Sequence, residues 1–574
     1  MSAPNQPLSP HDSDATTPRI LVCVAWPYAR SATHVGQIAG SFLPGDIFAR
    51  YHRLAGHDVL MVSGSDEHGT PITIDADRAG VSARELVARY HAAIVETLRQ
   101  LGIVFDLYTE TTTANHARVT QEVFRRLLDQ GYLFTDTMDS PFCPTDQRFL
   151  PDRYITGTCP YCGYAEARGD QCDNCGRTLD PTQLIEPRCR LCGSRDSAIE
   201  IRPTEHFFLD LPRFEPQLGV WLQGKIGQWR PAVVNFALNW IKEGLKPRAI
   251  TRDLDWGVPV PVPGYEGKRI YVWFDALIGY LSASREWAER QGDPARWERW
   301  WRLGPDGAAP ARSYYFIGKD NVAFHSILWP ATLLGLGDLA LPYDIPANEF
   351  VVMGGAKAST TAGNVVWTPD ALDAYGPDAL RYYLAATLPE ERDTAFSGED
   401  LMRRNNDELV ATFGNAAHRV LTFAQRHFAG RVPAPGVLGP EDRAMLDAAN
   451  AAFAAEAEAI EAVHLRAGLG EAMGLARVAN RYLEERAPWR AIKRGAEGAE
   501  QAATTVHTML QVLGALAVLF APYLPHAAQR LSEQLGFTEP VEQGGWGPRA
   551  VPPGQALPPP TPLFAKLEAP TTRG

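Results

Sequence analysis

The sequence predicts a parallel α/β domain, split by a cysteine-rich insertion and followed by a helical bundle. Three observations carry this. Strand-like and helix-like runs alternate from residue 19 to 110, an order that builds a parallel sheet with ligands at the carboxyl ends of its strands. Six of the eight cysteines fall in three C-x-x-C pairs between residues 159 and 192. From residue 399 to about 537 the chain is rich in Ala and Leu with helical periodicity, as in a bundle.

Taken in order, residues 1–18 are polar, with no apolar core or cleavage-site pattern, and read as a disordered tail rather than a signal peptide. Residues 19–138 form the first half of the α/β domain. "RILVCVAW" is a buried strand, "VGQIAGSFLPGDIFARYHRLAG" a helix, and "HDVLMVSGSDEHG" a second strand ending in a polar loop. "SARELVARYHAAIVETLRQLG" is an amphipathic helix with a Ser N-cap, and "TTTANHARVTQEVFRRLLDQGYL" is a further helix. Residues 139–245 change texture to cysteine knuckles, Gly and Pro, so they form an insertion. The sheet pattern resumes over 246–345, a segment at 346–398 follows, and the helical domain covers 399–540. Residues 541–574 are Pro-rich and extended.

The bulk numbers narrow the class. At 574 residues, a length prior suggests three to four domains. A net charge of −12 argues against a non-specific polyanion binder but leaves room for a local basic groove. The apolar stretch "MLQVLGALAVLFAPYLPHAA" contains Gly and two Pro in helical periodicity, so it reads as a buried helix rather than a membrane span. A cytoplasmic protein is expected.

"CPYCGYAEARGDQCDNCG" places nine residues between two C-x-x-C pairs. Cys159, Cys162, Cys172 and Cys175 at that spacing can close a tetrahedral shell around Zn(II), and such a site is structural. A second candidate site combines Cys143 and Asp146 of "FCPTDQ" with Cys189 and Cys192 of "RCRLCG", three thiolates and one carboxylate. Cys23 reads as a small buried apolar residue of the first strand.

Several stretches together resemble the methionyl-tRNA synthetases. They are "AWPYA…THVGQIAG", "GSDEHGTPI", "FLPDRYITGTCPYCGYAEARGDQCDNCG", "RDLDWGVPVP", "YVWFDALIGYL", "FIGKDNVAFHSILWP" and "GNVVWTPDALDAYGPDALRYYL". They occur in that family's order and cover residues 19 to 568. The resemblance implies a Rossmann-type class I synthetase catalytic domain with a zinc-knuckle insertion. A stem-contact segment (346–398) and an all-α anticodon-binding-type bundle follow. The implied reaction joins methionine to ATP, with Mg2+, releases pyrophosphate, and transfers the aminoacyl group to the terminal adenosine of tRNA.

The first step brings a carboxylate to the α-phosphorus of ATP. Both partners are anionic, so catalysis rests on positioning and on stabilising charge. The family uses a His-x-Gly-His motif at a helix N-terminus, where backbone dipoles favour phosphate, and a Lys-Met-Ser-Lys-Ser loop. The first motif here reads His34-Val35-Gly36-Gln37, and Gln37 can hydrogen-bond but carries no charge. Just upstream stand Arg30 and Ser31, where the family usually has Asn and Gly. The second motif reads Lys357-Ala358-Ser359-Thr360-Thr361, so Thr360 replaces the second lysine. Three readings stand at this point: a synthetase with altered ATP handling, a paralogue activating an amino acid for a non-tRNA acceptor, and a tRNA- or methionine-binding protein without adenylation.

The resemblance assigns Asp66 to the substrate ammonium, and Trp26, Trp273, Ala276, Tyr280 and His325 to the thioether side chain. Sulfur–aromatic contact suits methionine. It also assigns Asn415, Arg419 and Trp489 to reading a CAU anticodon, by hydrogen bonding and by stacking an unpaired base. Asn415 and Arg419 lie one helical turn apart, on one face; alone, that pair would read as a solvated surface. Retention of all three favours the synthetase reading. No oligonucleotide-binding domain follows the bundle, so a monomer is expected.

Overall fold

A computed structural model describes residues 17–151, 154–169, 172, 174–175, 177, 179–193, 199–353, 356–357 and 365–568. Strand β1 (Arg19–Val24) is buried along RILVCV and pairs in parallel with β2 (Asp58–Ser65). β2 pairs in parallel with β3 (Leu107–Glu110). On its other side β1 pairs with the strand Arg312–Gly318, which pairs with Ala347–Asn348. All five strands are parallel, and the direction of strand succession reverses beside β1. That reversal opens a crevice at the carboxyl ends of the strands, where open α/β sheets hold their ligands.

Helices cover both faces. α1 (Val35–Gln37) passes through a wide π turn at Ile38–Phe42 into α2 (Leu43–Leu54). α3 (Thr70–Ala79) follows β2. α4 (Ala83–Gln100) starts at Ser82, which caps it in a box with Glu85. α5 (Ala114–Asp129) packs against the helix Val272–Arg290.

The insertion enters on β4 (Leu133–Cys143), which pairs antiparallel with Glu200–Leu209 along ten residues. The three short strands Ile155–Thr158, Ala167–Arg168 and Ile185–Cys189 carry the knuckles. Their small core includes Leu150, Tyr154, Ile155 and Leu184, and it reaches α3 through Ile74.

The helical domain contains Asn415–His427, Pro440–Glu461, Leu465–Arg486, Gly495–Leu519 and Pro525–Gln534. Gly495–Leu519 is long and apolar enough to cross a bilayer, but most of it is packed inside the domain. One continuous core joins this domain to α2 and one face of the sheet. Arg381 pins the junction: fully buried, its guanidinium meets Asp46 of α2 at 2.7 Å and donates to the carbonyls of Leu101, Pro522 and Tyr523. The extended C-terminal segment runs back across the bundle to the catalytic domain. Trp546 packs edge-on to Tyr51, and Glu542 pairs with Arg50.

Candidate functional site

The first motif sits where β1 gives way to α1. His34 is the N-cap: its Nδ1 accepts from the Gln37 backbone N–H at 3.3 Å, and its own N–H donates to Gln37 Oε1 at 3.0 Å. Gln37 thus completes a reciprocal capping box with the histidine of its own motif. Gly36 makes room for the ring, since a Cβ there would lie 3.0 Å from His34 Nδ1. Arg30 pairs with Asp75 of α3 at 3.4 Å, which ties the guanidinium to that helix.

The second motif lies alongside. Lys357 belongs to the short strand Ala356–Lys357, which pairs antiparallel with Val351–Met353. Ser359 and Thr360 lie outside the described residues. The chain leaving this segment is bonded to the first motif: Val35 N–H donates to Val366 O, and Thr368 N–H donates to Thr33 O. Backbone bonds therefore tie the first motif to residues 366–368.

Asp66 ends β2. It is 3% exposed, accepts from the His68 backbone N–H at 3.2 Å, and is pushed up to about 8 by burial and by the nearby Asp275 carboxylate. Asp275, on the Val272–Arg290 helix, is wholly buried between two imidazoles. His68 Nδ1 meets Oδ2 at 2.7 Å, and His116 Nε2 meets Oδ1 at 2.7 Å. Thr120 also donates to Oδ1, and His116 Nδ1 bonds Ser282 Oγ at 2.8 Å. Two ligands of one zinc stand about 3.3 Å apart at ordinary bond lengths. The 2.7 Å contacts have hydrogen-bond lengths, so these side chains form a hydrogen-bonded relay.

The same helix carries Trp273, Ala276 and Tyr280 on its site-facing side. Trp273 stacks on Phe324 with ring centroids 4.3 Å apart and 6° between planes, and Tyr28 meets it edge-on. Tyr280 O–H lies 2.8 Å from His325 Nε2, and His325 Nδ1 lies 2.9 Å from Asn321 O. A carbonyl can only accept, so Nδ1 carries the proton and Tyr280 donates to Nε2. Burial pulls His325 down to about 4, so the pocket floor is uncharged at neutral pH. Trp26 lies in a slot between two glycines: a Cβ on Gly64 or Gly279 would strike the indole at 2.4 or 2.9 Å. The Trp26 indole N–H is buried without a hydrogen-bond partner among the described residues. The structure thus brings Trp26, Asp66, Trp273, Ala276, Tyr280 and His325 to one corner of the crevice.

Both cysteine groups assemble. Cys159, Cys162, Cys172 and Cys175 present sulfurs within 4.8 Å of one another. Cys159 and Cys175 are 4.0 Å apart, and Cys162 and Cys172 are 3.6 Å apart. Four sulfurs at 2.3 Å from one zinc stand about 3.8 Å apart, so this shell fits the ion. Cys143, Asp146, Cys189 and Cys192 form a second cluster, with Cys143 and Cys192 at 3.5 Å and Cys189 Sγ 2.9 Å from Asp146 Oδ2. Cys23 is fully buried, and burial pushes its thiol up.

On the helical domain, Asn415 opens its helix and is exposed. Arg419 lies over the Trp489 ring at 4.5 Å and pairs with Glu484 at 2.5 Å. Arg419 and Trp489 are therefore already one assembled unit rather than two separate solvated side chains. Sequence reasoning missed His68, His116 and Asp275. The stretch "SDEHG" points to Asp66 alone, and nothing in one sequence pairs residues 68, 116 and 275.

Comparisons with known proteins fit this geometry. The profile of the family described as tRNA synthetases class I (M) matches residues 20–421, and that of the anticodon binding domain of methionyl tRNA ligase matches 432–573. A methionine–tRNA ligase of Roseiflexus castenholzii is 51% identical over 578 residues, covering 96% of each chain. That of Thermomicrobium roseum is 50% identical over 574 residues, 95% of this chain and 96% of its own. The crystal structure of Mycobacterium tuberculosis methionyl-tRNA synthetase bound by methionyl-adenylate has a TM-score of 0.78 at 26% identity, covering 96% of this chain and 100% of that one. With two profiles in succession and relatives matched end to end, this chain belongs to the methionyl-tRNA synthetase family.

Proposed function

We propose that the protein is a methionine–tRNA ligase that makes methionyl-adenylate from methionine and ATP and then aminoacylates a methionine tRNA. The observation that carries this reading is the 51% identity across 96% of the chain, anticodon-binding region included. A paralogue that had abandoned tRNA would have no use for the Arg419–Trp489 unit.

In this reading Asp66 takes the α-ammonium. Trp26, Trp273, Ala276, Tyr280 and His325 enclose the thioether, whose lack of charge suits a neutral pocket floor. Held there, the methionine carboxylate attacks the α-phosphorus. A carboxyl–phosphate anhydride forms and pyrophosphate leaves. His34, Gly36 and Gln37 face the phosphates from the crevice, and the second motif contributes Lys357, Ser359 and Thr360, with Mg2+ accompanying ATP. A ribose hydroxyl of the tRNA's terminal adenosine then attacks the carbonyl and releases AMP. Asn415, Arg419 and Trp489 read a CAU anticodon. Cys159, Cys162, Cys172 and Cys175 hold one structural zinc, and the Cys143–Asp146–Cys189–Cys192 cluster holds a second. The protein works as a cytoplasmic monomer.

The test is ATP–pyrophosphate exchange with each standard amino acid, followed by charging of a CAU-anticodon tRNA. Exchange with methionine and methionylation of that tRNA are expected. Exchange confined to another amino acid would show a repurposed activating enzyme, and no exchange would show a binding protein.

A further inference from the structure

Asp66 stands in an unfavourable place for an anion. It is buried, the Asp275 carboxylate is near, and Glu67 adjoins it in the chain. Charge repulsion and desolvation both oppose its ionisation. Among the described residues, the imidazole of His68, which Asp275 grips at 2.7 Å, is the neighbour whose positive charge favours the Asp66 anion. The His68 backbone N–H also bonds the Asp66 carboxylate. Trp256 packs edge-on to the imidazole and donates its indole N–H to Glu67 O. The loop is therefore held on both sides.

We propose that His68 is a positioning residue of the ammonium site: clamped by Asp275 as an imidazolium, it supplies the positive charge that brings ionisation of Asp66 within reach of a cationic substrate group. The inference rests on the reading of Asp66 as the ammonium partner. Burial pulls His68 down, but the Asp275 carboxylate at 2.7 Å outweighs it and raises the imidazole above its ordinary value, and His68 in turn draws Asp66 downward. Other groups are near. His116 bonds the second Asp275 oxygen from α5. Asp77, Arg148, Asp253 and Asp255 line, with His68, a cavity of about 150 Å3 between α3 and the insertion. The relay also fixes geometry, because Asp275 lies on the helix that carries Trp273 and Tyr280. Hydrogen bonds thus link the ammonium corner to the helix that carries the side-chain pocket.

The experiment compares wild-type protein with His68→Gln. Methionine binding is followed by tryptophan fluorescence, and methionine-dependent exchange is measured from pH 6 to 9.5. The amine-free analogue 4-(methylthio)butanoate serves as a second ligand. Without the imidazolium, Asp66 ionises at higher pH. The acid limb of kcat/KM should move up by about one unit, and the methionine Kd at pH 7.5 should rise about tenfold. Binding of the amine-free analogue should change less than twofold, a contrast that simple damage to the pocket would not give. If His68→Gln does not fold, 13Cε1-histidine NMR of the wild type replaces it. At least one of the fourteen histidines should remain an imidazolium above pH 7.5, and all of them neutral at that pH would overturn the proposal. Equal losses for both ligands, or an unmoved acid limb, would also overturn it. If wild-type protein binds methionine no better than the amine-free analogue, the Asp66 reading itself falls.

Discussion

Gly279→Ala tests the indole slot. The added Cβ would lie 2.9 Å from Trp26 Cε2 and Cζ2, whereas carbon atoms pack at about 3.5–4.0 Å. The ring would have to retreat by roughly 0.6–1 Å, and its far side is closed, because it already rests on the backbone of Gly64. The strain therefore goes into the helix or pushes the indole into the methionine pocket. Overpacking of this kind costs about 1–3 kcal/mol. Expressed wholly in binding, that raises the methionine KM by about 5- to 150-fold, while the ATP KM stays within about twofold. The assay is methionine-dependent ATP–pyrophosphate exchange, with a thermal melt alongside. Trp26→Phe in the same chain should relieve the clash, so the double variant should bind methionine more tightly than the two single effects multiplied together. A Gly279→Ala protein with wild-type KM and melting temperature would refute the slot. Additive effects with Trp26→Phe would refute it too.

Trp489→Ala should raise the KM for tRNA by about 5- to 150-fold, since stacking of one base is worth about 1–3 kcal/mol, and leave exchange without tRNA unchanged; steady-state charging kinetics check both. Metal analysis should find zinc bound to the purified protein, and Cys159→Ala should lower the melting temperature while displacing one zinc per chain. Arg381→Met should destabilise the fold by about 3–5 kcal/mol, because it strips a buried partner from Asp46 and leaves three carbonyls unbonded; urea denaturation reads the loss. Thr360→Lys should raise the exchange rate by up to about two orders of magnitude, the worth of one transition-state cation; an unchanged kcat would mean that other groups have taken its place.

Much of this architecture was legible because it depends on local pattern. The strand RILVCV, the Ser82 cap and the C-x-x-C pairs each state their structure within a few residues, and the structure places them accordingly. The apolar run ending in APYLP was legible as a buried helix because Gly and Pro interrupt it. Contacts between distant residues could not be read this way. His68, His116 and Asp275 meet only because β2, α5 and a helix some 150 residues later converge. Arg381 looks like an ordinary helix arginine until Asp46 and the carbonyls of residues 522 and 523 close around it. Gln37 was read by its charge, and its amide proved to do its work in the backbone of its own turn.

That last bond bears on how the nucleotide site responds to acid. An imidazole in the place of Gln37 would change charge between pH 5 and 8, and the grip on phosphate would change with it. An amide has no proton to gain or lose over that range. Gln37 therefore adds no group to the end of β1 whose charge changes over that range. Acidification would reach this catalyst through Asp66 at the amino-acid corner, and it would not reach the nucleotide site through Gln37.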